Sequence, residues 1–140
     1  MTGGEILVPM LGVMVLTAVV WFVMYARRIP AMHRARRPVQ EYTTPETGTL
    51  RLPEEVNYPS NNLKNLFELP VIFYGLCLYL HVTGTAAQLD VVAAWAFLVL
   101  RIAHSTIHCS VNIVMARFVT YALAALALWF MLARAVWGLL

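Results

Sequence analysis

Along this chain the apolar positions gather into long uncharged blocks, and polar residues occupy the gaps between them. Ile6 to Ala26 carries no charged side chain, and a helix of about 21 residues rising ~1.5 Å per residue spans the ~30 Å hydrocarbon core of a bilayer. Arg27 and Arg28 close this block, with Trp21 and Tyr25 where interfacial aromatics sit. A polar segment, 27–60, follows as the one long loop. Ser60 reads as the N-cap of a second helix over 61–82, which Pro70 interrupts within its first turns. Gly84 and the polar residues around it reverse the chain, and Asp90 opens a third helix over 90–111.

Between Thr85 and Trp137 there is neither glycine nor proline, so the local pattern supplies no break. Length does: a single helix from Asp90 to Leu140 would run about 75 Å, more than twice the hydrocarbon core. The chain must fold back near Ser110 to Ala116 and leave by a fourth helix over 117–139. The predicted fold is an all-α integral membrane domain covering 1–140, a bundle of four transmembrane helices.

Composition supports a membrane as the solvent. Hydrophobic residues make up 61% of the 140 positions and charged residues 12%, and a mean hydropathy of +0.71 excludes a water-soluble globule. The formal charge of +3 does not point to nucleic acid, because the arginines crowd beside an apolar block. Arg27, Arg28, Arg34, Arg36, Arg37 and Arg51 all fall in 27–60, whereas the opposite loop, 83–88, has no Lys or Arg. The positive-inside rule then puts 27–60 in the cytoplasm and both termini outside it, with the arginines as orientation signal and lipid anchor. Met1 to Glu5 lacks the basic start of a secretory signal peptide, so the first helix is expected to be retained. Two cysteines, Cys77 and Cys109, do not make a disulfide framework.

The chemistry concentrates after Val91 to Leu100. Arg101, His104, His108 and Asn112 follow that uncharged run at spacings of three, four and four, which put them on one helical face. Ionisable groups inside a membrane usually face the bundle interior and serve a function. With the predicted topology Asn65, Glu68, Arg101, His104, His108, Arg117 and Tyr121 all fall in the cytoplasmic half. Two arginines suit a ligand's carboxylates and Glu68 suits an ammonium group, with Lys64 at the rim. A plainer reading stays open, in which Glu68 and Arg101 close into a buried ion pair and the histidines are structural donors. Metal or haem ligation is disfavoured. No glutamate stands between His104 and His108, and His81 lies about a membrane thickness away.

Three short runs carry a family resemblance: N-L-F-E-L-P at Asn65 to Pro70, R-I-A-H at Arg101 to His104, and R-F-V-T-Y at Arg117 to Tyr121. In this order on a four-helix chain they resemble the MAPEG family, membrane-associated proteins of eicosanoid and glutathione metabolism, and bacterial members in particular. The resemblance implies a homotrimer in the bacterial inner membrane that binds glutathione between subunits near the cytoplasmic side. It implies glutathione contacts for Asn65, Glu68, Arg101, His104, His108 and Tyr121, with Arg28 contributed by the end of the first helix. It makes Arg117 the catalytic residue, stabilising the glutathione thiolate. The expected function is a glutathione-dependent transferase or peroxidase acting on lipophilic electrophiles. The alternative is a non-enzymatic membrane module that binds lipid or a partner protein. Two positions depart from one prostaglandin-forming branch: Phe118 replaces a hydroxyl residue and His108 a tyrosine.

Overall fold

The computed structural model describes residues 3–140, the side chain of Thr49 excepted; Met1 and Thr2, at the start of the predicted domain, lie outside the described residues. A 3-10 turn, Gly3–Ile6, leads into α1, Leu7–Ala35. The pattern ends this helix at Ala26, yet it continues for two and a half further turns. Arginine is a good helix former, so Arg27 and Arg28 mark the end of the hydrocarbon without ending the helix. Pro30 is accommodated inside it, and α1 stops only at Arg36, whose left-handed φ of 49° lets its N–H bond the His33 carbonyl at 3.3 Å.

The predicted loop 27–60 therefore shrinks to a short connection with structure of its own. It holds a 3-10 turn, Val39–Tyr42, and a brief helix α2, Pro45–Arg51. Thr44 caps α2 by accepting from the Thr47 N–H at 3.2 Å, and Thr47 Oγ1 accepts from the Thr44 N–H at the same distance. Glu41 pairs with Arg51 and, at 3.4 Å, with Arg37.

The second span starts at Glu54 rather than after Ser60, which lies inside α3, Glu54–Leu66. It resumes as α4, Leu69–Val82. The break at Phe67 and Glu68 follows from Pro70, which has no N–H to give and would clash with the Leu66 carbonyl in a continuous helix. At the second position of α4 it costs no hydrogen bond. Glu68 sits in the break with φ −97° and ψ −102°, off the helical course of α3 that carries Asn65.

Helix α5 spans Gln88–Cys109 and α6 spans Val114–Trp137. The reversal between them occupies Ser110 to Ile113, inside the range that length alone predicts. Asn112 takes the left-handed turn position at φ 49°, a conformation its short polar side chain tolerates, and its N–H bonds the Ile107 carbonyl at 2.8 Å. The predicted stripe therefore ends at His108; Asn112 is a turn residue. At the far end Asp90 joins two helices. One carboxylate oxygen accepts from the Ala87 N–H at 2.9 Å and the other from Arg134 Nε of α6 at 3.0 Å.

Four helices or helix pairs are long and apolar enough to cross a membrane: Gly4–Ala35, Glu54–Val82, Gln88–Cys109 and Val114–Trp137. Their shared core is built on Phe73 of α4 stacked on Phe97 of α5 at 4.3 Å, surrounded by Val13, Ala94, Leu98, Ala124, Leu128 and Met131. Large apolar side chains such as Phe22, Leu126 and Val15 point outward, as a lipid solvent permits. Gly12 lets α1 approach α5, since a Cβ there would stand 2.6 Å from Leu98 Cδ2. Gly12→Leu is expected to destabilise the fold by about 1–3 kcal/mol through overpacking. Thermal unfolding in detergent measures it, and an unchanged midpoint would show that the approach is not close. At the other contact Asp90→Ala should cost about 1–3 kcal/mol by removing cap and ion pair together. Asp90→Asn, which can still accept from Ala87, should cost less in the same scan; equal losses would mean that the cap contributes nothing.

Candidate functional site

The α5–α6 reversal brings the last two turns of α5 against the first two of α6. His104 Nδ1 lies 2.9 Å from the Arg117 carbonyl oxygen. A carbonyl only accepts, so Nδ1 carries a proton and donates. Thr120 Oγ1 donates to the same carbonyl at 3.0 Å. The Arg117 guanidinium is held separately, with Nη1 donating to Asn112 Oδ1 at 2.7 Å. The turn residue that reverses the chain is thus also the brace of the arginine that resemblance nominates as catalytic.

A cavity of about 270 Å³ opens beside this pair, lined by Asn65, Glu68, His104, Val114, Arg117, Phe118 and Tyr121. The α3–α4 break puts Glu68 into it, and Asn65 enters from the last turn of α3, its Nδ2 donating to the Asn61 carbonyl at 3.5 Å. Two walls are apolar, Val114 and the largely exposed Phe118. The cavity therefore combines one carboxylate, one guanidinium, an imidazole, an amide and a phenol with a hydrophobic flank.

Other predicted residues stand behind or away from this cavity. Arg101 is completely buried, and its guanidinium carbon lies 5.9 Å from the Tyr121 ring centre. Nε, Nη1 and Nη2 have no hydrogen-bond partner among the described residues. A closed Glu68–Arg101 ion pair is absent among the described residues, whereas His104 is a structural donor as the plainer reading has it. His108 is buried one turn further along α5. Its ring stands perpendicular to that of His104 at 5.6 Å, and its Nδ1 also lacks a partner among the described residues. Together with His104 Nε2, these atoms form a seam of unsatisfied donors and acceptors behind the Tyr121 wall. Arg28 belongs to neither group within the chain. It packs on α2, where a Cβ at Gly48 would meet its Nη2 at 2.6 Å. Lys64 is exposed and outside the cavity lining.

A buried polar cluster beside this seam escapes the sequence pattern. Ser105 Oγ donates to Asn62 Oδ1 at 3.4 Å, and Asn62 Nδ2 reaches Cys109 Sγ at 3.6 Å. Asn62 has no exposed surface, so these bonds satisfy an amide that burial would otherwise penalise. The signal was the buried stripe Pro59, Asn62 and Leu66 at spacings of three and four, visible only once α3 is known to begin before Ser60.

No curated protein and no solved structure matches the chain. The model of the MAPEG family matches residues 6–137, which include helices α1 to α6 and every residue that lines the cavity. With nearly the whole chain matched on a fold of four membrane-length helices, this integral membrane protein belongs to the MAPEG family.

Proposed function

We propose that the protein is a glutathione-dependent transferase or peroxidase acting on lipophilic electrophiles, assembled as a trimer in a bacterial inner membrane with the arginine-rich connection in the cytoplasm. The observation that carries this reading is the Arg117 cavity: a guanidinium braced by Asn112, facing the same space as a carboxylate and an apolar wall. Glutathione offers complementary chemistry, with an ammonium group for Glu68, carboxylates for arginine, and a thiol that a nearby cation converts to thiolate.

In the transferase reaction the thiol proton leaves to solvent and the thiolate, stabilised by Arg117, attacks the electrophilic carbon. The carbon–sulfur bond forms as the leaving group departs with its electron pair. In the peroxidase reaction the thiolate attacks a hydroperoxide oxygen and the O–O bond breaks, so that the alcohol leaves and a sulfenic acid forms; the thiol of a second glutathione then condenses with it to disulfide and water. Phe118 and Val114 give the acceptor an apolar approach from the bilayer side. His104 holds the first turn of α6 in register, while Asn65 and Tyr121 contact the tripeptide. Arg101 and His108 form its polar backing. Arg28 turns away from the cavity of its own chain, and would serve the site of an adjacent subunit in the trimer.

Arg117→Ala should lower conjugation of a generic aryl halide at neutral pH by at least about 100-fold, the scale set by loss of one strong electrostatic contact in a shielded site. A cation beside the thiol lowers its pKa, so its loss should move the rising limb of the pH–rate profile, and the ultraviolet thiolate absorbance with it, to higher pH. Asn112→Ala, which frees the guanidinium without removing it, should give a smaller loss in the same assay. An unshifted profile in Arg117→Ala would remove the catalytic assignment. Absence of conjugation and peroxidase activity in the native chain across several acceptors would favour the non-enzymatic module.

A further inference from the structure

A second and larger cavity, about 760 Å³, lies between α1, the start of α3 and the end of α5, and shares no residue with the Arg117 cavity. Its volume is within the range of small-molecule sites, about 300–1,000 Å³. Arg27 and Arg34 stand two turns apart on its α1 wall, with Pro30 and Ala31 between them as a shallow floor. Arg27 Nη1 donates to the Cys109 carbonyl at 2.7 Å, which fixes the guanidinium and leaves its other N–H groups available. Arg34 has no hydrogen bond or ion pair among the described residues. The opposite wall is the first turn of α3, where Glu54 and Glu55 already offset the positive end of the helix, so the two arginines are the cations of the cavity. Glu55 is the one carboxylate in the lining.

The depth of the cavity selects its occupant. Arg27 is the first charge after the uncharged block 6–26, and Cys109 is the last residue of the third span, so both mark the hydrocarbon boundary. An outward apolar stripe on α1, Val15, Val19 and Phe22, continues at helical spacing into Ala26 and Pro30 of the cavity wall. A ligand with an anionic head and apolar tails would place the head between Arg27 and Arg34 and lay a tail along that stripe. We infer that this cavity is a specific site for the phosphodiester headgroup of a membrane phospholipid. A soluble phosphate ester shares the head chemistry but leaves the stripe unused.

The test uses the full chain in neutral detergent, with dioleoyl phosphatidylglycerol as probe. Bound lipid is read by native mass spectrometry, and occupancy by protection of Cys109 from N-ethylmaleimide. Cys77 is fully buried and serves as the unreactive reference. The lipid should remain bound and slow Cys109 labelling, whereas dioleoylglycerol and glycerol 3-phosphate should not. Arg34→Gln should weaken lipid binding about five-fold, as expected for one basic contact near a membrane surface. Arg36→Gln, the same charge change outside the cavity, should leave it unaltered; Arg27→Gln is the second cavity variant. Equal weakening by Arg34→Gln and Arg36→Gln would reduce the effect to diffuse surface charge and overturn the site. So would equal protection by dioleoylglycerol or by glycerol 3-phosphate, or absence of bound phosphatidylglycerol.

Discussion

Inside a bilayer no water is at hand for a backbone group that leaves its helix, so every interruption near the hydrocarbon must be resolved by the protein itself. This chain has two such interruptions at the same end of its bundle. At Phe67 and Glu68 a proline two residues ahead dissolves the helix, and the displaced glutamate becomes part of a cavity wall. At Ser110 to Ile113 an asparagine in the left-handed region turns the chain, and its side chain then accepts from Arg117. The same constraint that makes the breaks expensive thus gathers polar groups where they occur.

The buried guanidinium of Arg101 belongs to the same economy. An arginine with no exposed surface and, among the described residues, no hydrogen-bond partner is among the costliest groups a membrane helix can carry. It lies directly behind Tyr121 and beside His104, both of which line the cavity. Its field therefore reaches the cavity without the guanidinium entering it. Together with Arg117 it makes that space electropositive, while Glu68 contributes the single opposing charge. An anionic peptide with one ammonium group answers that arrangement better than a neutral lipid does.

Much of this could be read from the sequence because membrane spans impose long, simple patterns. The four apolar blocks, the reversal near Ser110 to Ala116 and the common depth of Asn65, Glu68, His104, Arg117 and Tyr121 follow from hydropathy and length. What could not be read depends on local backbone chemistry. Arg27 and Arg28 resemble a helix end because charge ends the hydrocarbon, yet they propagate the helix to Ala35. Ser60 resembles a cap but sits within α3. Asn112 has the right spacing to extend the Arg101 face but is a turn residue, and no glycine or proline announces the turn. Side-chain direction was the other hidden quantity. Helical spacing puts Arg101, His104 and His108 on one face without telling that only His104 lines the cavity, and it cannot tell that Arg28 packs on Gly48.

The account stands on the claim that the cavity beside Arg117 holds glutathione by its charges. Calorimetry of the native chain in detergent, titrated with glutathione and repeated with Arg117→Ala, tests this most directly. Saturable binding at ~1 mM or tighter, weakened about ten-fold or more in the variant, is the predicted result, since a factor of ten corresponds to ~1.4 kcal/mol. No heat of binding in the native chain, or the same affinity in both, would contradict it.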